Sequence, residues 1–163
     1  MPVASPFNPS EQKTFDEKTA KIFQRYPPER KSAALIPALH VAQELHGWLK
    51  PEAMDYVAEQ VGVPATRVRE VVTFYTMFHL KPVGKKHIQV CVNLACWLRG
   101  SDKLVEKCRS AIGEVQNQPT ADGKLSWCEV ECLASCTMAP AAMINDKYVE
   151  PLTPEKLDAE LRK

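Results

Sequence analysis

Six cysteines lie in the second half of the chain, Cys91, Cys96, Cys108, Cys128, Cys132 and Cys136, and none precedes residue 90. Two pairs stand out by their spacing: Cys91-x4-Cys96 and Cys132-x3-Cys136, with 35 residues between Cys96 and Cys132. The thiolate is the metal-binding form of cysteine. If the segment before each pair is a strand and both strands share a sheet, the two following loops leave at one edge and four thiolates converge. Unpaired anions in a shielded place are costly, so four converging thiolates ask for a metal. Zinc favours tight C-x2–4-C turns around one tetrahedral ion, and C-x4-C is at the loose end of that range. A [2Fe–2S] cluster is longer, and each cysteine pair can hold one of its irons. Spacing favours iron–sulfur and leaves zinc open. A thioredoxin-type dithiol is disfavoured, because no C-x-x-C occurs.

Other reactive side chains read more plainly. Cys108 shares a helix face with Leu104 and Ile112, which predicts core packing. Cys128 alternates onto the face of Val130 and Cys132, so it belongs to the core or beside the ligands rather than among them. A Rieske centre needs two histidines on one iron. Of His40, His46, His79 and His87, none lies within a few residues of Cys96, Cys132 or Cys136, and His87 is four residues from Cys91. Structural or surface roles are expected for all four. Phe74, Tyr75 and Phe78 read as core, with part of the group sealing the joint between the two halves. Trp48 and Trp97 are candidates for a partner interface, and Trp97, directly after Cys96, could instead shield the cluster from water.

Segments on either side of residue 80 must position these groups. The chain has 163 residues, 45% hydrophobic and 25% charged, with net charge +1. That is the profile of a folding chain, and it lacks the basic surplus of a nucleic-acid binder. No apolar run approaches a membrane span. The first eight residues hold no Lys or Arg and no apolar signal core, so no export or import address is expected. Residues 1–80 hold 9 basic and 9 acidic side chains, and residues 81–163 hold 12 and 11. The halves therefore differ in chemistry, not in charge. Lys81-Pro82-Val83-Gly84-Lys85-Lys86 is the boundary candidate.

The first half, 1–80, reads as a small helical bundle. Asn8-Pro9-Ser10-Glu11 predicts a capped entry with Glu11 reaching back to Asn8. Phe15, Thr19, Ile22, Phe23 and Tyr26 follow at helical spacing up to Pro27-Pro28. A second helix is predicted over 28–46, kinked or broken at Pro37 and stopped by Gly47. Pro51 opens a third, ended by Gly62, and Pro64 a fourth, with Val68, Val71, Val72 and Tyr75 inward. The second half, 81–163, alternates. A strand is predicted over 87–93, a helix capped by Ser101 through Ile112, and a strand over 125–132. A hairpin around Asn145-Asp146 and a last helix from Thr153-Pro154-Glu155 complete it. This order suits a thioredoxin-like layout.

Several motifs carry a family likeness. Cys128-Glu129-Val130-Glu131-Cys132-Leu133-Ala134-Ser135-Cys136 running into Ala139-Pro140, both cysteine pairs, and Gly100 after the first pair resemble the thioredoxin-like [2Fe–2S] ferredoxins. Gly47-Trp48-Leu49 and the run from Val71 to Phe78 match too. Over roughly residues 15–160 the chain is similar to the 24 kDa subunit family of NADH–quinone oxidoreductases. The resemblance implies an α+β chain, a helical bundle (1–80) followed by a thioredoxin-like α/β cluster domain (81–163). It implies Cys91, Cys96, Cys132 and Cys136 as ligands of one [2Fe–2S] cluster, with no catalytic residue of its own. The implied role is one-electron transfer beside an FMN- and NADH-binding subunit, with further subunits of a peripheral arm. The implied location is cytoplasmic, at the inner membrane through the complex and without insertion. Equivalent subunits of soluble NAD-linked hydrogenases or formate dehydrogenases remain open, as does a zinc-stabilised interaction module without redox function. A cluster with four thiolates is anionic, so amides of Leu94–Cys96 and Leu133–Cys136 are expected to face sulfur. Arg99 would add positive charge, and Glu129 and Glu131 would oppose it.

Overall fold

The computed structural model describes residues 3–162. They form two compact units that divide after Pro82.

The helical unit begins with α1 (Pro9–Phe23). Asn8 Oδ1 accepts from the amides of Ser10 (3.1 Å) and Glu11 (2.9 Å), and the Asn8 amide donates to Glu11 Oε2 at 3.0 Å. Three otherwise orphaned donors at the helix start are satisfied in this way. Burial along α1 falls on Phe15 and Thr19, and the helix ends before Tyr26. The expected break at Pro37 occurs earlier. Residues Pro28–Ala34 form a 3-10 segment with non-helical Arg30, and α2 (Leu35–His46) starts just before the proline. Pro37 then sits in the first turn, where a missing N–H costs no intrahelical bond. Gly47 closes α2 at φ +75° and Gly62 closes α3 (Pro51–Val61) at φ +78°, the left-handed conformation that glycine adopts without a Cβ penalty. After α4 (Ala65–Phe74) the chain turns through Phe78.

Phe15, Leu39, Leu49, Val57 and Val68 fill this unit's core, joined by Phe7 and Phe78. Phe7 stacks on Phe15 at 4.9 Å and meets Tyr56 edge-on at 5.8 Å. The aromatic triplet divides. Phe78 is buried against His40, whereas Phe74 and Tyr75 are exposed and pack on each other. Tyr75 lies past the last turn of α4 in extended conformation, so it leaves the inward stripe that carries Val68, Val71 and Val72.

The second unit is a four-stranded mixed sheet in the order β2-β1-β3-β4. Strand β1 (Lys86–Cys91) runs parallel to β2 (Leu125–Val130), with Ile88 opposite Trp127 and Cys91 opposite Val130. Strands β3 (Ala142–Ile144) and β4 (Lys147–Val149) form the expected hairpin, and Asn145 supplies φ +51° in its turn. Between β1 and β2 run a five-residue helix α5 (Leu94–Leu98), which has no separate sequence signal, and α6 (Ser101–Ile112). Ser101 is not the cap of α6. Gly100, at φ +89°, precedes the first turn, and Ser101 is buried. The last helix is α7 (Pro154–Arg162).

One sheet face, with Ile88, Val90 and Trp127, packs with Leu104, Val105 and Cys108 of α6 and Leu157 of α7. Trp127 is fully buried, and its indole N–H donates to the Gly113 carbonyl at 2.8 Å, so its one polar atom is satisfied. Gly84 is a glycine for lack of space: a Cβ there would stand 2.3 Å from the Leu125 carbonyl carbon. Its amide donates to Ser126 Oγ at 2.8 Å, fixing the entry to β1 against β2.

Candidate metal centre

Parallel pairing of β1 and β2 decides where the cysteines go. Both strands end on the same side of the sheet, so the loops that follow them emerge together. Cys91 is the last residue of β1, and Cys96 lies in α5. Cys132 follows β2 by two residues, and Cys136 opens the 3-10 turn Cys136–Met138. None of the six cysteines is in a disulfide.

The two pairs differ in exposure. Cys91 and Cys96 are buried, while Cys132 and Cys136 are exposed. The Cys96 thiol is pushed above its ordinary range first by burial, then by its hydrogen bond with Cys91 and the charges of Cys91 and Cys136. Cys91 and Cys136 thus lie close enough to act on Cys96. The fourth, Cys132, turns its sulfur to the amide of Ala134 at 3.2 Å. Ala134 adopts φ +56°, unusual for a residue with a Cβ, and that conformation aims its N–H back at the thiol. An amide facing sulfur was expected in this loop. A second backbone contact was not: Ala141, from the segment leading into β3, hydrogen-bonds Cys96, and its carbonyl accepts from the Cys91 amide at 3.0 Å. Ala141 is separate from both pairs in sequence and reaches the first because β3 pairs with β1.

Side chains from the hairpin brace the second loop. Tyr148 donates its hydroxyl to the Leu133 carbonyl at 3.0 Å, and Ser135 hydrogen-bonds the Glu150 carboxylate. Leu133, Ala139 and Ala141 pack with Cys91 and Cys96 into a small apolar cluster. Such a floor shields the buried thiol pair from water.

Among the described residues, no three His, Cys, Asp or Glu side chains gather tightly enough to enclose one ion. The donor set has a different form: two thiol pairs on neighbouring loops, one pair inside and one outside, with backbone groups directed at sulfur. Thiols with amide donors directed at sulfur fit an anionic, thiolate-bound group.

Other candidates fall elsewhere. Cys108 is buried in the core beside Leu104, and burial pushes its thiol up to about 12. Cys128 is also buried, with its pKa raised to about 11 mainly by desolvation. Its sulfur faces His87 Nε2 at 3.4 Å, and His87 Nδ1 faces Ser126 Oγ at 2.8 Å. Both ring nitrogens of His87 are thus engaged inside the sheet unit. His46 pairs with Glu11 at 3.3 Å, and the His40 ring packs at a tilt against Phe78. Arg99, at the C-terminus of α5, is exposed, as are Leu94, Trp97 and Leu98 of the same helix, with 57% of Trp97 open to solvent. Trp97 therefore does not act as a buried shield in this chain alone.

The family model of the thioredoxin-like [2Fe–2S] ferredoxins matches residues 19–163, across both units. The chain belongs to that family. Two relatives are similar over nearly their full length. The NADH-quinone oxidoreductase E subunit of Rickettsia bellii is 48% identical over 92% of this chain and 93% of its own. Its counterpart in Rickettsia conorii is 46% identical over 88% and 89%. A solved NAD+-reducing [NiFe]-hydrogenase in the H2-reduced state shares the fold at TM-score 0.67 and 24% identity, covering 79% of this chain and 22% of that one. This ferredoxin chain thus spans only about a fifth of the hydrogenase chain it overlays. Its α+β architecture and its [2Fe–2S] cofactor are those of the family.

Proposed function

We propose that this ferredoxin is the electron-transfer subunit of an NADH–quinone oxidoreductase. In this reading it holds one [2Fe–2S] cluster on Cys91, Cys96, Cys132 and Cys136, and it works beside the FMN- and NADH-binding subunit of the peripheral arm. The observation that carries the reading is the parallel pairing of β1 with β2, which delivers both cysteine loops to one end of the sheet. The nearly end-to-end match to the two Rickettsia relatives supports the host. The cluster supplies one-electron redox chemistry when bound. The chain's own residues hold it, direct the amides of Ala134 and Ala141 at sulfur, and keep Cys91 and Cys96 dry.

Electron exchange requires a second cofactor to come close. The uncharged face of Leu94, Trp97 and Leu98, on the helix that carries Cys96, supports contact with the flavin subunit near the cluster. Attachment to the cytoplasmic side of the membrane through the complex is part of this reading; among the described residues no helix is long and apolar enough to cross a membrane. The division after Pro82 supports reading 1–80 and 81–163 as separate domains.

Iron and acid-labile sulfide analysis of anaerobically purified protein tests this. The expected result is about two of each per chain, with an electron paramagnetic resonance signal after reduction. A colourless protein containing zinc would overturn it.

A further inference from the structure

At the opposite end of the sheet from the thiols, the structure holds a half-open cleft of about 1110 Å³. It opens where β1 and β2 begin, between the loop 120–124, the hairpin turn and the end of α7. Five β1 steps of about 3.3 Å put it roughly 16 Å from Cys91. Its floor is apolar, with Leu125, Ile144 and Leu161.

The rim is cationic, and its charges are not neutralised alike. Lys86 lies against Glu160 at 3.4 Å, and Lys124 against Asp122 at 3.3 Å. Asp122 is further tied to Thr120 Oγ1 at 2.6 Å and to the Lys124 amide at 3.0 Å, which hold its pKa down to about 2. Its charge is therefore spent within the wall. Lys85, Lys147 and Arg162 have no carboxylate partner among the described residues, and Asp146 is the one rim carboxylate left to oppose them. Three unmatched cations against one anion leave a local surplus of positive charge over an apolar floor.

The walls are pre-formed. The Lys85 amide donates to the Gly123 carbonyl at 3.1 Å and the Lys86 amide to the Lys124 carbonyl at 2.9 Å. Asn145 bridges the turn to β1, its Nδ2 donating to the Lys85 carbonyl at 3.1 Å and its Oδ1 accepting from the His87 amide at 2.9 Å. An incoming ligand would have little backbone to order here, which lowers the cost of binding.

We propose that this cleft docks an acidic segment of another subunit, one that alternates carboxylates with apolar side chains. Carboxylates would meet Lys85, Lys147 and Arg162, while an apolar side chain covers Leu125, Ile144 and Leu161. Charge complementarity selects the segment and speeds its capture. An acidic peptide satisfies both rim and floor, whereas a small inorganic anion satisfies only the rim. The cleft is remote from the cysteine loops, so a subunit held there leaves the cluster end free for electron exchange. That division of labour rests on the assembly reading above, whereas the docking chemistry does not.

The test uses the holoprotein and a labelled peptide of alternating Glu and Leu, with a Gln–Leu peptide and tripolyphosphate as controls. The Glu–Leu peptide is expected to bind, to weaken as salt rises, and to lose at least tenfold in affinity in the Lys85→Glu/Lys147→Glu/Arg162→Glu variant. The visible spectrum of that variant should be unchanged, which shows that fold and cluster survive. No binding, equal binding of the Gln–Leu peptide, full competition by tripolyphosphate, or an unaffected triple variant would each overturn the proposal. In the purified complex, carbodiimide coupling should link Lys85 or Lys147 to Asp or Glu of another chain. Links confined to Asp122 and Asp146 of this chain would count against it. Absence of this chain from the complex would defeat the functional reading and leave the peptide result to decide the docking chemistry.

Discussion

The helical unit buries Phe15, Leu39, Leu49 and Val57 almost completely and closes the start of its first helix with reciprocal bonds between Asn8 and Glu11. The thiol loops of the sheet unit are only half closed. They bury Cys91 and Cys96, leave Cys132 and Cys136 open, and rest on a small patch of Leu133, Ala139 and Ala141. A bundle of this kind is held by apolar burial and local hydrogen bonds, which operate without any added group. The loops are braced from outside by Tyr148, Glu150 and Ala141, and in the proposed reading the cluster completes their thiols. Where segments distant in sequence supply the ligands, binding energy becomes folding energy. The contrast sets a self-sufficient scaffold against a site that, as proposed, its cofactor completes.

The sharpest way to break that contrast is Cys96→Ser. It should abolish the cluster's visible absorbance, while Cys108→Ser and Cys128→Ser keep it. Retention in the first or loss in the others would reassign the ligands. Next in size is iron removal. Hydrogen exchange on the apo protein should show residues 92–96 and 131–139 losing protection while α1 to α4 hold theirs, and uniform protection would erase the distinction. Leu39→Ala probes the other side. A fully buried leucine truncated to alanine costs about 2–5 kcal/mol, read as a shifted denaturation midpoint of the helical unit with iron content unchanged. Gly84→Ala should cost about 1–3 kcal/mol by overpacking and act on the sheet unit, because the new methyl meets the β2 backbone. The smallest effect belongs to Asn8→Ala, about 1 kcal/mol of cap energy, confined to the helical unit's melting.

Sequence reading fared best where the deciding interactions are short in range. Asn8 and Glu11 are three residues apart, so their reciprocal bonds could be read directly. Gly47 and Gly62 marked helix ends because the left-handed conformation is a local requirement. Reading faltered where neighbours compete. Pro37 was expected to break a helix, yet the break at Arg30 came first and left the proline in a harmless turn. Ser101 looked like a cap, but Gly100 took the turn and the serine was drawn inward. Helix α5 is a single turn long, too short to show a period. The second backbone contact on the thiols, from Ala141, had no sequence signal, since an alanine amide looks like any other.

Residue types and their intervals were enough to nominate the thiols, divide the chain into a helical and an alternating half, and place most caps and stops, because each depends on a few covalently near neighbours. Which strands lie side by side was decided only by the folded chain. Pairing β1 with β2 in parallel and β3 beside β1 brings Ala141 and both cysteine loops to one sheet end. Backbone hydrogen bonds between distant strands carry no local pattern, so that convergence, and the cationic cleft at the far end, exist only in three dimensions.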